Sequence, residues 1–446
     1  MAVSADVKRL RDAAPEYAAA MEGFQKRNFW LLVIDGATFA FAVSLVSETT
    51  IIPAFVSALT SSSLLVGLVA ATFAIGRYLP QLVGAHLVIG RARRKPLFLA
   101  IVVAERFGIL AIAISASLIG LVANGAVLAL FFAAFALYAI TTGLIGPVYG
   151  DFVAKGLTRS RGVFFGTVQL IGGVLGFTAA MWAETILEAQ GFPEGNQTIF
   201  WTSFALSMLS IAFVVALKEV PYPHTTPRPP FMDTLRRIPA IIRGDRNYSR
   251  FLLARSVMAL ATLGIGFVVV DGLGETLRPS DVAVLAAVFI LSQAVIGFLL
   301  GLVGNYWGWR IVVVLGGVLI AAGMAGALVA SSLLVYIAVF VALGGANAVT
   351  VIGDPNMSIE MAATSRTSLY IGATSTLLAP FFIVGPVVAG ALIPFVGYQA
   401  VFVAALLLAL ASVVLAWRIH EPRTSEAVTT GEIPIPHVLG QPGAAP

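Results

Sequence analysis

The sequence predicts an all-α integral membrane protein of twelve spans, arranged as two six-helix blocks. Three observations lead there. Hydrophobic residues make up 59% of the chain and charged residues 11%, with a mean hydropathy of +0.95. A soluble surface needs roughly 25% charged residues to stay wetted, so the outer surface of this chain faces lipid. The apolar runs each approach or exceed the ~20 residues that cross a hydrocarbon core. One polar stretch, residues 218–250, divides them six and six; it holds seven of the 27 basic residues and six of the 22 prolines.

In chain order, residues 1–27 carry no apolar core or cleavage site of a signal peptide. Val7, Leu10, Ala14, Tyr17, Met21 and Phe24 step by three or four, with Lys8, Arg9, Arg11, Asp12 and Glu16 elsewhere on the wheel. That pattern predicts an amphipathic helix at the cytosolic membrane surface, a frayed tail being the alternative. The predicted spans are 30–58, 64–89, 96–119, 124–149, 162–187 and 198–217 in a block covering 28–217. After the 218–250 connector come 251–273, 280–303, 310–331, 333–354, 367–394 and 398–418 in a block covering 251–418. Residues 419–446 are rich in Pro and Gly without an apolar period, the composition of a disordered tail.

Charge sets the expected orientation. With the N-terminus inside, 23 of the 27 basic residues fall on inner segments and only Arg278 on an outer one, leaving Arg77, Arg106 and Arg255 within spans. Both termini and the connector are therefore expected in the cytosol, in a multi-pass protein of the cell membrane. All six Trp fall at predicted helix ends, as an interfacial belt requires. The net charge of +5 is a consequence of this orientation and not a signal for nucleic acid.

Ionisable groups at membrane depth are expensive, and each is a functional candidate. At 1.5 Å per residue, Asp35 lies ~8–10 Å from the cytosolic end of its helix, Glu105 and Arg106 ~14–15 Å, and Arg77 ~18 Å. These four form either a self-neutralised structural cluster or a site in which Arg77, with Gln81 one turn on, holds an anionic group. Glu48 lies deeper in span 1, without a basic partner at its depth. It can bind and release H⁺ as access alternates, or it is a water-exposed carboxyl near the outer mouth; Asp35 is the second candidate. Asp151 and Asp354, at inner helix ends, are expected to pair with Arg161 and Arg366. Tyr138, Thr141, Thr142, Ser292, Gln293, Asn347 and Thr350 supply the remaining interior polarity, and with 29 Phe this suits a moderately hydrophobic substrate.

The halves repeat. Gly84, Gly90 and the basic run Arg91–Lys95 after span 2 correspond to Gly301, Asn305, Gly308 and Arg310 after span 8. Gly150-Asp151, Arg161 and Gly166 correspond to Gly353-Asp354, Arg366 and Gly372. An even number of helices per copy gives both the same orientation. Here the chain resembles the major facilitator superfamily of secondary transporters, over about residues 30–420. The superfamily's loop signature, Gly-x-x-x-Asp-x-x-Gly-x-Arg/Lys, is matched by Gly301, Asn305, Gly308 and Arg310, with Asn in place of Asp. Counted from Gly84, the first copy has Val88 at the Asp position and its glycine one residue early, but keeps Arg93, Arg94 and Lys95. Helix 5 has Gly172-Gly173 and Gly176 without the Pro of the antiporter signature.

The resemblance implies two pseudo-symmetric bundles with helices 1, 4, 7 and 10 around a central cavity and helices 3, 6, 9 and 12 outside. It also implies that the paired loops clamp the halves in the outward-facing state, and it favours a structural role for Glu105 and Arg106. No cysteine, no phosphate-cradling loop and no catalytic or metal-ligand spacing is present in the sequence. The reading is therefore not an enzyme, with no cofactor and no metal. It is a monomeric, H⁺-coupled exporter of a small amphipathic molecule; a lipid or lysolipid translocator and a non-transporting receptor or scaffold are the alternatives.

Overall fold

In the computed structural model, the described residues are 15–48, 51–157, 161–222, 227–277, 279–362 and 366–422. The expectations for residues 1–14, for Arg159, Arg278 and Arg423, and for the tail from 423 onward lie outside them. The described chain is all helical apart from one isolated bridge, Ile119 to Val122. The first half holds α1 (Pro15–Ser44), α2 (Ile51–Leu59), α3 (Ser63–Tyr78), α4 (Gln81–Val88), α5 (Lys95–Ser117), α6 (Asn124–Gly156), α7 (Arg161–Gln190) and α8 (Glu194–Ala216). The connector contains α9 (Phe231–Gly244). The second half holds α10 (Arg246–Ala261), α11 (Ile265–Glu275), α12 (Pro279–Trp307), α13 (Trp309–Leu328), α14 (Leu333–Ala348), α15 (Asp354–Met361) and α16 (Thr367–Trp417).

Nine described helical segments are long and apolar enough to cross a membrane. One of these, α16, has 51 residues and turns at Gly397 (φ 76°, ψ 169°), a left-handed conformation that only glycine adopts without strain. Its two limbs occupy the places of spans 11 and 12. Spans 1 and 2 are discontinuous, α1 with α2 and α3 with α4. Span 7 is interrupted by a 3₁₀ turn at Thr262–Gly264, and span 10 by a π-helical segment at Val349–Gly353. The interruptions of spans 1 and 7 correspond between the halves, a feature the apolar pattern alone did not reveal.

The repeat is legible down to single hydrogen bonds. Asn28, near the start of span 1, donates to the Lys218 carbonyl (2.8 Å) and accepts from the Lys218 amide (3.1 Å). Asn247, near the start of span 7, makes the same pair with His420, at 2.8 Å in both directions. The next residue in each copy is a glutamate. Glu219 accepts from the Arg94 and Lys95 amides (2.6 and 3.0 Å) at the start of α5, and Glu421 accepts from the Arg310 amide (2.9 Å) at the start of α13. A carboxylate there satisfies orphan donors and meets the positive end of the helix dipole. Gly308 (φ 100°) makes the turn that brings Glu421 into place.

Two sequence expectations need adjustment. The described part of the amphipathic N-terminal segment does not lie free at the interface: α1 runs unbroken from Pro15 into span 1, and Tyr17 and Met21 are buried against Val220 and Tyr222. Trp309 is not part of an interfacial belt; it is 1% exposed and packs against Gly304, whereas Trp30, Trp201, Trp307 and Trp417 are exposed.

Candidate functional site

The halves meet along two seams related by the repeat, α7 with α12 and α4 with α16. At the first, Gly162 and Gly301 face each other so closely that a Cβ on either would strike the other's carbonyl, and Gly166 lies against Phe298. At the second, Gly372 lies against Ala85 and the Gln81 carbonyl, Ile371 against Gly150, and Thr376 donates to the Tyr78 carbonyl at 3.3 Å. The second seam ends where Tyr78 stacks on Phe382. Helix α9 lies across it: Ile238 packs on Leu82 of the first half and on Leu369 and Ala373 of the second. His86 bonds Thr234 at 2.9 Å, and Arg228 donates to the Leu87 carbonyl at 2.8 Å. Both seams lie at the end that carries the connector. At the other end, among the described residues, no extensive contact joins α2 to the second half or α11 to the first. The described residues of the two halves are thus packed together at the connector side and lack comparable packing at the opposite one.

The membrane-depth charges fall into two kinds. Most are engaged locally. Glu105 (1% exposed) pairs with Arg106, whose guanidinium also donates to the Ser207 carbonyl (3.2 Å) and to the Ser210 hydroxyl (2.9 Å) and lies 4.0 Å from the Phe39 ring centroid. Thr142 donates to the other Glu105 oxygen at 2.8 Å. Asp35 is buried one turn from Phe39, within reach of Arg106 and Ser210, but its Oδ1 meets no donor among the described residues.

Asp151 and Asp354 do not pair with Arg161 and Arg366. Asp151 binds Arg94 (3.0 Å) and Lys155 (2.7 Å), and Asp354 binds Arg255 through two bonds of 2.5 and 2.6 Å. Each aspartate is buried within its own half, where a closer base compensates it; Arg161 instead reaches Glu360 across the seam at 3.7 Å, and Arg366 is exposed at the start of α16. Gln293 and Asn347 bond each other at 2.8 Å. Asn305 of the loop signature is half-buried below the Gly301–Gly162 contact, and Arg310 rests on the Trp417 ring at 5.1 Å.

Glu48 and Arg77 are the second kind. Glu48 sits in the break between α1 and α2, partly exposed, and Arg77 is exposed on α3. Arg77 lies four residues from Phe73 and from Gln81. Phe73 stacks on Phe135 and Tyr138 of α6 and lies 5.8 Å from the Arg77 guanidinium, and Gln81 abuts the second seam. Tyr138 is buried, its ring packed against Phe73 and Phe135. Gln293 and Asn347 lie on the other half. Gly84 serves packing, meeting the Leu144 carbonyl of α6.

Sequence reasoning missed Glu219, Glu421, Asn28 and Asn247. Their signal was available: Lys218-Glu219-Val220-Pro221 and His420-Glu421-Pro422 both follow the last apolar residue of a block. It also missed the α9 brace, whose apolar period runs through Leu235, Ile238, Ile241 and Ile242.

Residues 251–442 match the sequence model of the Major Facilitator Superfamily. No curated protein sequence matches the chain significantly. Among solved structures, the superfamily transporter FucP in the outward conformation is similar with a TM-score of 0.65 at 16% identity, covering 87% of this chain and 97% of that one. The human organic anion transporter MFSD10 gives 0.65 at 15% identity, covering 88% and 99%. A bacterial homologue of the iron transporter ferroportin, in its outward-facing state, gives 0.66 at 15%, covering 87% and 98%. The chain therefore has the Major Facilitator Superfamily fold, and its second half carries that superfamily's sequence pattern.

Proposed function

We propose that this protein is a secondary transporter working by alternating access, with residues 28–217 and 251–418 rocking as two units about a central site. The observation that carries the proposal is the asymmetry of the seams: glycine contacts and α9 pack the halves together at one end, and among the described residues α2 and α11 make no comparable contact across the halves at the other. In this reading the connector and both termini are cytosolic, which the distribution of Lys and Arg supports. The open face is then extracellular, in line with the outward state of FucP and of the ferroportin homologue.

The proposed cargo is a small amphipathic molecule, moved outward in exchange for H⁺ across the cell membrane by a monomer. Glu48, in water-accessible surroundings, and Asp35, with its unmatched oxygen, are the proposed proton carriers. The fucose:proton symporter FucP of E. coli shares the fold and couples in the same direction for both species, so fold alone does not select exchange. The test is a thermal-shift ligand screen on purified protein, followed by counterflow of each hit in proteoliposomes. A ligand that binds but never crosses sealed liposomes would reject transport. Glu48→Gln retaining full pH-driven transport would move the coupling role to Asp35.

A further inference from the structure

Two arginines converge on one atom at the C-terminal end of α4. Gly90 (φ 76°) folds the chain back, and Arg91 donates from Nε to the Leu87 carbonyl at 2.9 Å. Arg228 of the connector donates from Nη2 to the same oxygen at 2.8 Å and from Nε to the Ile89 carbonyl at 3.3 Å. These bonds satisfy carbonyls that the last turn of a helix leaves over. They also hold the two guanidiniums side by side, their donating nitrogens no further apart than the two bonds laid end to end. Among the described residues neither makes an ion pair. The sequence has no acid between Glu48 and Glu105 or between Glu219 and Asp233. Arg228 is exposed and Arg91 half-buried, and each retains N–H donors in the planar fork that suits a phosphate. Like charges so close repel each other, and an anion seated between them relieves the repulsion.

The surroundings of the pair are apolar. Val83 and Leu79 stand one and two turns from Leu87 and are 39% and 61% exposed, turned away from Leu82, which faces α9, and Gln81, which faces α16. On the connector, Phe231 packs edge-on against His86, and Met232 is exposed. We infer that this is a site for an anionic phospholipid, its phosphate between Arg91 and Arg228 and an acyl chain along Val83 and Leu79. A zwitterionic lipid brings a cation to the same two arginines, so net negative charge is preferred. Anionic phospholipids give the cytosolic leaflet its negative surface potential, and the inference takes from the proposed function only the orientation. Arg91 belongs to the first half and Arg228 leads into α9, so the bound lipid fastens the connector to the first half beside the α9 contacts.

The test titrates lipids into the full-length purified protein and counts bound molecules by native mass spectrometry. The probes are dioleoyl phosphatidylglycerol, dioleoyl phosphatidylcholine and glycerol 1-phosphate. Phosphatidylglycerol should bind roughly tenfold more tightly than phosphatidylcholine, which has the same phosphate and the same chains. Arg91→Gln and Arg228→Gln should each weaken phosphatidylglycerol roughly fivefold. Gln can still donate to the Leu87 carbonyl, so the helix end keeps its partner in either variant. Arg91→Lys should restore most of the binding. Arg93→Gln removes the same charge from the same loop at an exposed position and should change the affinity by about twofold at most. Three results overturn the inference: equal binding of the two lipids, a loss in Arg93→Gln as large as in Arg91→Gln, or glycerol 1-phosphate competing at the lipid's own concentration. The first means no headgroup site, the second a diffuse basic surface, and the third a site for free phosphate. Lipid selectivity without counterflow of any ligand sinks the transport reading and leaves this one standing; counterflow without lipid selectivity does the reverse.

Discussion

Replacing Ile238 by Ala tests whether α9 holds the connector side shut. Ile238 is 7% exposed and touches Leu82 of one half and Leu369 and Ala373 of the other. Truncation removes three buried carbons, about 2.4 kcal/mol at ~0.8 kcal/mol each. Leu82, one of those three neighbours, is the one lost only when the seam opens, so about 0.8 kcal/mol is specific to the closed connector side. That is close to a fourfold shift in the conformational equilibrium. The chain has no cysteine, so a Cys pair can be introduced at Leu121 and Val329, which are 77% and 71% exposed on the open side, one in each half. Spin-label distances should show one long population in the parent protein and a shorter one gaining close to fourfold in weight in Ile238→Ala. An unchanged distribution in a folded variant, or a gain in the long population, would refute the idea that α9 braces this state.

Other outcomes follow from the same contacts. Gly301→Val places side-chain atoms where the Gly162 carbonyl sits; maleimide labelling of a Cys at Gln169 should rise when applied from the connector side. Arg255→Gln leaves the Asp354 carboxylate buried without its partner and should destabilise the fold by about 3–5 kcal/mol, with Asp354→Asn in the same chain restoring part of the loss; melting curves in detergent read both. Glu219→Ala and Glu421→Ala should each cost about 1 kcal/mol. The caps lie in separate halves, so the double variant should be additive within about 0.5 kcal/mol.

The span order, the two-block organisation and the glycines of the inter-half seam could be read from apolar run length, loop charge and repeat spacing, because these follow from the cost of placing backbone and charge in lipid. The breaks in spans 1 and 7 could not. Ser44 to Glu48 and Thr262 to Gly264 remain apolar enough on average to pass as single helices, and tertiary packing decides where a helix is allowed to unwind. Ion pairing was misassigned for a related reason. Equivalent positions in the two copies suggested Asp151–Arg161 and Asp354–Arg366, but buried carboxylates take the closest base. These are Arg94 and Lys155 in one copy and Arg255 in the other. Of the site, Glu48 and Arg77 were legible as costly charges, whereas the break in span 1 that holds Glu48 needed coordinates.

The doubled asparagine-and-glutamate clasp at the base of each half has a mechanical corollary. By tying the sixth helix of each half to its first through Asn28 or Asn247 and to its third through Glu219 or Glu421, it makes the connector-side ends of those three helices one foot, which any motion of that half must turn as a whole.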